Sequence, residues 1–316
     1  MQIELALFCY TVFLQEICYY KTMTDFEKVK NYYRHFDEKN RLRNDNSGKL
    51  EFLMTMRILE KNLPPVKVTE NPEGAVVAGA AGANSVDGVS ILDLGGGAGV
   101  YSFPLAKKGY KVRLADLSET LLAQANKQKE EDNVQNLISC DQVNATDLSC
   151  YKDQSFDVVL LFGPLYHLTE KAEREKCVSE VGRVLKKGGK VFASFIPHLS
   201  GSIALVQRFC WSPEQVDINT LEECFESGKF KNLSDKGFQE GYYPASEEIE
   251  NLFSANGFEK IMLRSIRGFG YEKEDVIFKF KNKNVFSKIL DLIDSTAEDK
   301  SIIEMCGHAM YVGVKK

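Results

Sequence analysis

Residues 91–102 read ILDLGGGAGVYS. A short apolar run encloses Asp93, and Gly95, Gly96, Gly97 and Gly99 follow it. Glycines at such a turn let a ligand lie against bare main chain, because no Cβ stands in the way. Two ligand classes compete for the stretch. The dinucleotide fingerprint is G-x-G-x-x-G/A at the first strand-to-helix turn. Gly95 and Gly97 give its first half, but Val100 fills the third position; started from Gly97, the third position is Ser102. The alternative, D/E-x-G-x-G-x-G, is met in full by Asp93, Gly95, Gly97 and Gly99. Further on, KVRLAD ends in Asp116, followed by Leu117. A carboxylate there accepts from both hydroxyls of a ribose and repels a 2′-phosphate. A chain that binds NAD also wants an acid at this place, so Asp116 does not separate the two classes.

Outward from the glycines the pattern alternates. SILDL, KVRLAD, NLISC, SFDVVLLF and KVFASFI read as strands, the fourth apolar from Val158 to Phe162 as a strand buried on both faces should be. Between them lie predicted helices. VYSFPLAKK stops at Gly109, with Pro104 placed near its first turn; ETLLAQANKQKEE is capped by Ser118. A third is capped by Thr169, carries Lys186 and Lys187 late, and stops at Gly188 and Gly189. Beyond residue 243, SEEIENLFSAN and VFSKILDLIDS read as helices, and EKIMLRSI and HAMYVGVK as strands. The expected fold is α/β: a Rossmann-like, seven-stranded, mostly parallel sheet with helices on both faces. Its ligands belong beyond the carboxyl ends of the strands.

The chain divides accordingly. Residues 1–22 form an accessory extension ahead of Met23, and 23–65 a helical block interrupted near 44–48 and ended by Pro64 and Pro65. Residues 66–89, rich in Gly and Ala, form a flexible loop. The core spans 90–196, an inserted cap 197–243, and the completion of the core 244–316. The apolar N-terminus is cut by Glu4, Gln15 and Glu16 into a run too short to span a bilayer, and it has no basic leader.

A chain of 316 residues with 44% hydrophobic and 27% charged residues suits a soluble globular protein. Net charge is −5, and no run of Lys and Arg is long enough to track a phosphate backbone, so neither nucleic acid nor membrane is the expected partner. The eight cysteines are scattered without metal-ligand spacing; no metal is expected, and reduced thiols point to a cytoplasmic protein.

The D-x-G-x-G-x-G stretch, Asp116, the segment NATDL (144–148) and LLFGPLYHLTE (160–170) together resemble the class I S-adenosylmethionine-dependent methyltransferases. GPLYHL resembles a small-molecule branch, and NYYRHFDEKNRL with GKLEFLMTMRILEKNLPP extends the likeness, which spans roughly residues 25–197. The resemblance implies S-adenosyl-L-methionine as cofactor, a ligand without pyrophosphate, whose amino-acid end and ribose lie on the glycines. It implies contacts from Asp93, Gly95, Gly97, Gly99, Asp116, Leu117, Asn144, Ala145 and Phe162. Asn144 stands where the family carries an acid, and its amide carbonyl can accept from an adenine amino group. The N-terminal block would fold over the cofactor, with Tyr33 above it and Arg41 pairing with the methionyl carboxylate.

On the acceptor side the candidates are Tyr166 and His167. A histidine beside the methyl site can accept a proton near neutral pH; equally, His167 can make a structural bond at a helix start and Tyr166 can pack under the cap. His198 is the second choice, while His35, His308 and Trp211 are expected to pack or lie on the surface. The implied activity is methyl transfer to a small-molecule acceptor by a monomer or homodimer. Methylation of protein or RNA, and non-catalytic cofactor binding, are the alternatives.

Overall fold

A computed structural model describes residues 42, 44–66, 69–70, 76–77, 88–211, 217–231 and 240–316. The accessory segment, Tyr33, Arg41 and most of the 66–89 loop lie outside the described residues, as does the side chain of Trp211. Helix α1 (Asn46–Asn62) opens where Asp45 accepts the Gly48 N–H at 2.7 Å. That cap lets the helix run through Gly48, and the bend at Asp45 falls within the interruption predicted near 44–48. Leu50, Met54, Ile58 and Leu59 share its buried face. Two short strands, β1 (Thr69–Glu70) and β2 (Val76–Val77), pair antiparallel inside the stretch expected to be a loop.

The core alternates as the periodicity predicts. Its first half runs β3 (Ser90–Leu94), α2 (Ser102–Lys107), β4 (Lys111–Asp116), α3 (Glu119–Glu131), β5 (Leu137–Gln142), β6 (Phe156–Phe162) and the single turn α4 (Pro164–His167). Then follow α5 (Lys171–Val184) and β7 (Leu185–Phe195). The 197–243 insertion holds α6 (His198–Trp211), α7 (Ile218–Ser227) and a small antiparallel pair, β8 (Lys229–Lys231) and β9 (Glu240–Tyr242). The chain returns through α8 (Ser246–Ala255), β10 (Phe258–Ser265), α9 (Glu274–Ile277), α10 (Lys283–Thr296), α11 (Lys300–Met305) and β11 (Ala309–Lys315).

Some boundaries differ from expectation. Helix α2 begins at Ser102 rather than Val100, which leaves Pro104 in the first turn, where its missing N–H costs nothing. Thr169 does not cap α5; the cap position is Glu170, and it makes no side-chain cap bond. Helix α5 stops at Val184, and Lys186 to Gly189 already belong to β7, drawn in by pairing with β6 across a register shift between Phe156 and Val158. Short α9 and α11 carry too few residues to show a helical period in sequence.

The seven-stranded sheet has the order β10-β11-β7-β6-β3-β4-β5. β3 pairs in parallel with both β4 and β6, and β11 runs antiparallel to both its neighbours. Alternate residues serve opposite faces. Val158 and Leu160 of β6 join a core with α1, α2, α3 and α10, while Val159 and Leu161 face α5 and α8. The order reverses between β3 and β6, so the crevice expected of a doubly wound sheet opens at their carboxyl ends. Because β11 is reversed, its amino end reaches that same edge. Phe162, Ser194 and Met310 lie side by side in register across it.

Candidate functional site

The glycine turn is tied down from the neighbouring strand. The N–H groups of Gly95 and Gly96 both donate to the Ala115 carbonyl, at 2.8 and 3.2 Å. Gly95 has a φ of +77° and Gly97 one of +55°, a region disfavoured for residues with a Cβ. A Cβ on Gly95 would stand 2.6 Å from Pro164 Cδ, and one on Gly96 would stand 2.2 Å from Leu114 Cδ1. Gly96 was not singled out by the motif, yet its packing is the tighter.

Asp116 closes the turn. Its Oδ2 accepts the Gly97 N–H at 2.8 Å, and its Oδ1 accepts the Ser118 N–H at 2.8 Å. Two backbone donors thus fix the carboxylate while it lines the cavity with Leu117 and Leu121.

Asp93 lies beneath the turn, fully buried. Ser102 Oγ donates to its Oδ2 at 2.7 Å, while Oδ1 has no hydrogen-bond partner among the described residues. Burial pushes its carboxyl up to about 6 from 3.8; the Ser102 bond opposes that, and the nearby Asp116 charge adds to it. An unsatisfied buried carboxylate oxygen on the wall of a cavity is costly unless a ligand donates to it.

Beyond Asp116 the wall continues with Val143, Asn144 and Ala145. The sequence assigned the Asn144 carbonyl to an adenine amino group. In the structure that oxygen accepts the Thr146 N–H and the Thr146 hydroxyl, each at 3.0 Å. Both carbonyl lone pairs are used to build the turn, so the amide nitrogen is the end left for a base, as a donor. Opposite, Phe162 meets Tyr101 edge-on at 5.2 Å between centroids, and Tyr101 stacks on Phe52 of α1 at 5.7 Å. These rings join the helical block to the glycine turn.

On the side of β7 and β11 a second half is lined by Glu51, Thr55, Tyr166, His167, Ser194, Ile266, His308 and Met310. His167 is half-buried with its Nδ1 shielded from solvent, and desolvation drives its imidazole down to about 3 from 6.5. It stays neutral and holds a proton poorly, which makes it a weak proton acceptor despite its position. The Tyr166 ring lies between the two histidines, 5.0 Å from His167 and 5.8 Å from His308. His308, expected to pack or face solvent, lines the cavity, and its Nδ1 sits 3.0 Å from Glu51 Oε2. Glu51 lies in the GKLEFLMTM stretch that extends the likeness, but neither residue was singled out, and 257 positions separate them. His198 is structural: its Nε2 lies 3.0 Å from the Cys224 carbonyl, inside the cap.

Buried Arg174 anchors the end of the α4 turn, whose residues line the cavity. It donates to the Leu168 and Thr169 carbonyls at 2.8 Å each. Its guanidinium lies 3.6 Å over the Tyr242 ring, and Tyr242 donates to Glu248 at 2.6 Å. The end of α4 is thereby joined to the cap hairpin and to α8. Among the described residues no group of three or more His, Cys, Asp or Glu side chains is placed to hold a metal ion, and no helix is long and apolar enough to cross a membrane.

The residues present fit S-adenosylmethionine. The acidic oxygen of Asp93 suits an ammonium, the bare turn admits an amino-acid chain, and Asp116 retains acceptor capacity for a ribose. No lysine or arginine stands among the described lining residues to meet a pyrophosphate.

Comparison with known proteins agrees. Residues 92–193 match a family model described as a methyltransferase domain. A phosphatidylethanolamine N-methyltransferase from Cereibacter sphaeroides is 31% identical over 143 residues, 45% of this chain and 66% of that one. A ubiquinone/menaquinone biosynthesis C-methyltransferase from Zymomonas mobilis is 34% identical over 102 residues, 32% of this chain and 40% of that one. The chain thus spans less than two thirds of either relative. A solved protein of Pyrococcus horikoshii shares the fold over 91% of this chain and 99% of its own, with a TM-score of 0.55 at 18% identity. Residues 92–193 therefore match a methyltransferase domain, set within a Rossmann-like sheet of the fold that solved protein shares.

Proposed function

We propose that the protein transfers a methyl group from S-adenosylmethionine to a small-molecule acceptor. The observation that carries this is the Asp93–Asp116 pair, two carboxylates converging on one glycine turn in a cavity without a described cation. That electrostatic setting favours a ligand with a sulfonium and an ammonium over an anionic dinucleotide. Asp116 would take the ribose hydroxyls, Asn144 and Ala145 the adenine edge, and Asp93 with Gly95 and Gly97 the amino-acid end. Tyr33 and Arg41 of the helical block remain proposed contacts to that end. The bound cofactor supplies an electrophilic methyl group whose leaving group is a neutral thioether. What the protein adds is alignment and exclusion of water. Phe162, Gly163, Pro164 and Tyr166 line the same cavity as the glycine turn. Apolar walls with a few polar groups suit a small acceptor of the kind the GPLYHL branch would use, in a cytoplasmic monomer or homodimer.

Titration calorimetry with S-adenosylhomocysteine and, separately, with NAD tests this reading. Binding of the first alone is expected. Binding of NAD alone would overturn it and return the glycines to a degenerate dinucleotide turn.

A further inference from the structure

The cavity half opposite the glycine turn holds a set of charges that methyl transfer as such does not require. Glu274 of α9 accepts from Arg267 Nη1 at 2.9 Å, and Arg267 also donates to Ser47. Arg267 Nε stands 3.8 Å from Glu51 Oε2, and the same oxygen lies 3.0 Å from His308 Nδ1. Glutamate, arginine, glutamate and histidine thus alternate from a buried helix end to the cavity wall. Arg267, Glu51 and Glu274 are all buried, and only His308 retains appreciable exposure, with its ring beside Tyr166 on the lining. The backbone is shaped to suit. Gly307 has a φ of +71°, and a Cβ there would stand 2.3 Å from Arg267 Nη2.

We propose that Glu51 and His308 form a proton-accepting pair for a hydroxyl-bearing acceptor with an apolar body, of the phenol class. The proposal rests on the methyltransferase reading. A carboxylate only accepts, so Nδ1 of His308 must carry the proton of their shared bond. In the neutral ring Nε2 then holds the lone pair, and Glu51 acts as a positioning residue that fixes the tautomer. Arg267, whose closer partner is Glu274, stands 3.8 Å from the same glutamate. The other residues around this half are Thr55, Ser194, Ile266 and Met310: two hydroxyls to orient an oxygen and two apolar walls for a carbon skeleton. Thr55 Oγ1 is buried without a hydrogen-bond partner among the described residues, so it too offers a bond to a ligand. His167, whose imidazole is pushed down by desolvation, is the weaker proton acceptor of the two.

In the step, the acceptor O–H bond breaks and its proton passes to His308 Nε2 as the oxygen forms the new O–CH₃ bond. The electron pair of the broken C–S bond stays on sulfur, which loses its positive charge. The imidazolium is stabilised by Glu51 until product leaves and water takes the proton.

Nitrogen NMR of the full chain labelled at histidine, with the His308 signals assigned through His308→Gln, tests the arrangement without turnover. The expected result in mildly alkaline solution is one neutral tautomer at His308, protonated at Nδ1 and bare at Nε2, lost in Glu51→Ala. A ring protonated at Nε2 would overturn the pair. With methyl donor present, phenol, catechol, an alkylamine and an alkylthiol are offered in turn. Turnover of a phenolic acceptor should fall about 100-fold in kcat for His308→Gln, with KM and S-adenosylhomocysteine affinity kept. Turnover confined to the amine or thiol, or a phenolic kcat indifferent to His308→Gln, would overturn it. Failure of wild type to bind S-adenosylhomocysteine would instead sink the methyltransferase reading, which the tautomer measurement does not touch.

Discussion

The Gly97 N–H donates to Asp116 Oδ2 at 2.8 Å, so the acid at the end of β4 holds the glycine turn that leaves β3. Asp116 is therefore part of the turn's own structure as well as a candidate ribose ligand. Asp116→Ala removes both roles, and Asp116→Asn keeps one oxygen acceptor while losing the charge. Charge-assisted bonds of this kind are worth about 1.5–3 kcal/mol each. S-adenosylhomocysteine affinity by calorimetry should fall at least about tenfold in Asp116→Ala. Wild-type affinity in that variant would contradict the geometry.

Gly96→Val tests the tighter contact of the turn. The new Cβ would overlap Leu114 Cδ1 and the Asp93 carboxyl. Overpacking of a buried turn costs about 1–3 kcal/mol, to be read as a lowered urea midpoint, together with lost cofactor binding. A variant of unchanged midpoint would mean that the turn relaxes freely.

Asp93 and His167 should tilt stability in opposite directions with pH. The folded-state carboxyl of Asp93 titrates at about 6 rather than 3.8, so the fold is penalised once that group must ionise. Stability from this source is complete below 3.8 and declines as pH rises through about 6, by roughly 3 kcal/mol in all. Asp93→Asn should therefore melt higher than wild type at pH 7 and the difference should close towards acid. The same variant should bind S-adenosylhomocysteine more weakly, because a neutral amide meets the ligand's ammonium.

His167 works the other way. Its folded ring resists protonation until about 3, while an unfolded chain takes the proton at 6.5. Stability is full above 6.5 and is lost as pH falls, by about 2 kcal/mol at pH 5. His167→Phe should flatten this acid limb in urea melts between pH 7 and 5. An acid limb unchanged by the substitution would show that the ring is not shielded from solvent.

Arg174→Met removes two carbonyl bonds and the stacking on Tyr242 while keeping apolar bulk. Breaking a buried charge network of this kind costs about 3 kcal/mol. Hydrogen exchange should quicken at residues 164–169 before it quickens in β6, because those residues lose their anchor first.

The parallel half of the fold was legible because its signals are local. An apolar run such as the VVLLF of SFDVVLLF admits one reading as a doubly covered strand, and Ser118, with its capping bond to Leu121, marks the start of α3 within a few residues. The boundary at α5 and β7 was not legible, since Lys186 to Gly189 look like a helix end and only the partner strand β6 decides otherwise. In the site, Asp93, the glycines and Asp116 could be read because their spacing is the motif. Asn144 was placed at the cavity, but its carbonyl was assigned to a ligand when Thr146 takes it. Glu51 and His308 were beyond reach, because a pair joined only by tertiary folding leaves no spacing to detect. His167 drew attention by its place in GPLYHL, and its desolvation is a property of the folded chain that spacing does not show.

The reversed strand β11 also bears on how the chain acquires its shape. It lies between β7 and β10, and pairs Ala309 with Phe195 and Ser265 with Ala309. Until residues 309–315 arrive, β7 presents an open, apolar edge, and β10 has no place in the sheet. Closing such a long loop is slow, and an exposed edge invites pairing with other chains. Slow insertion of β11 would therefore set the window in which newly made protein aggregates. A lesion in this strand should show first as lost yield of soluble protein, before any change in ligand affinity can be measured.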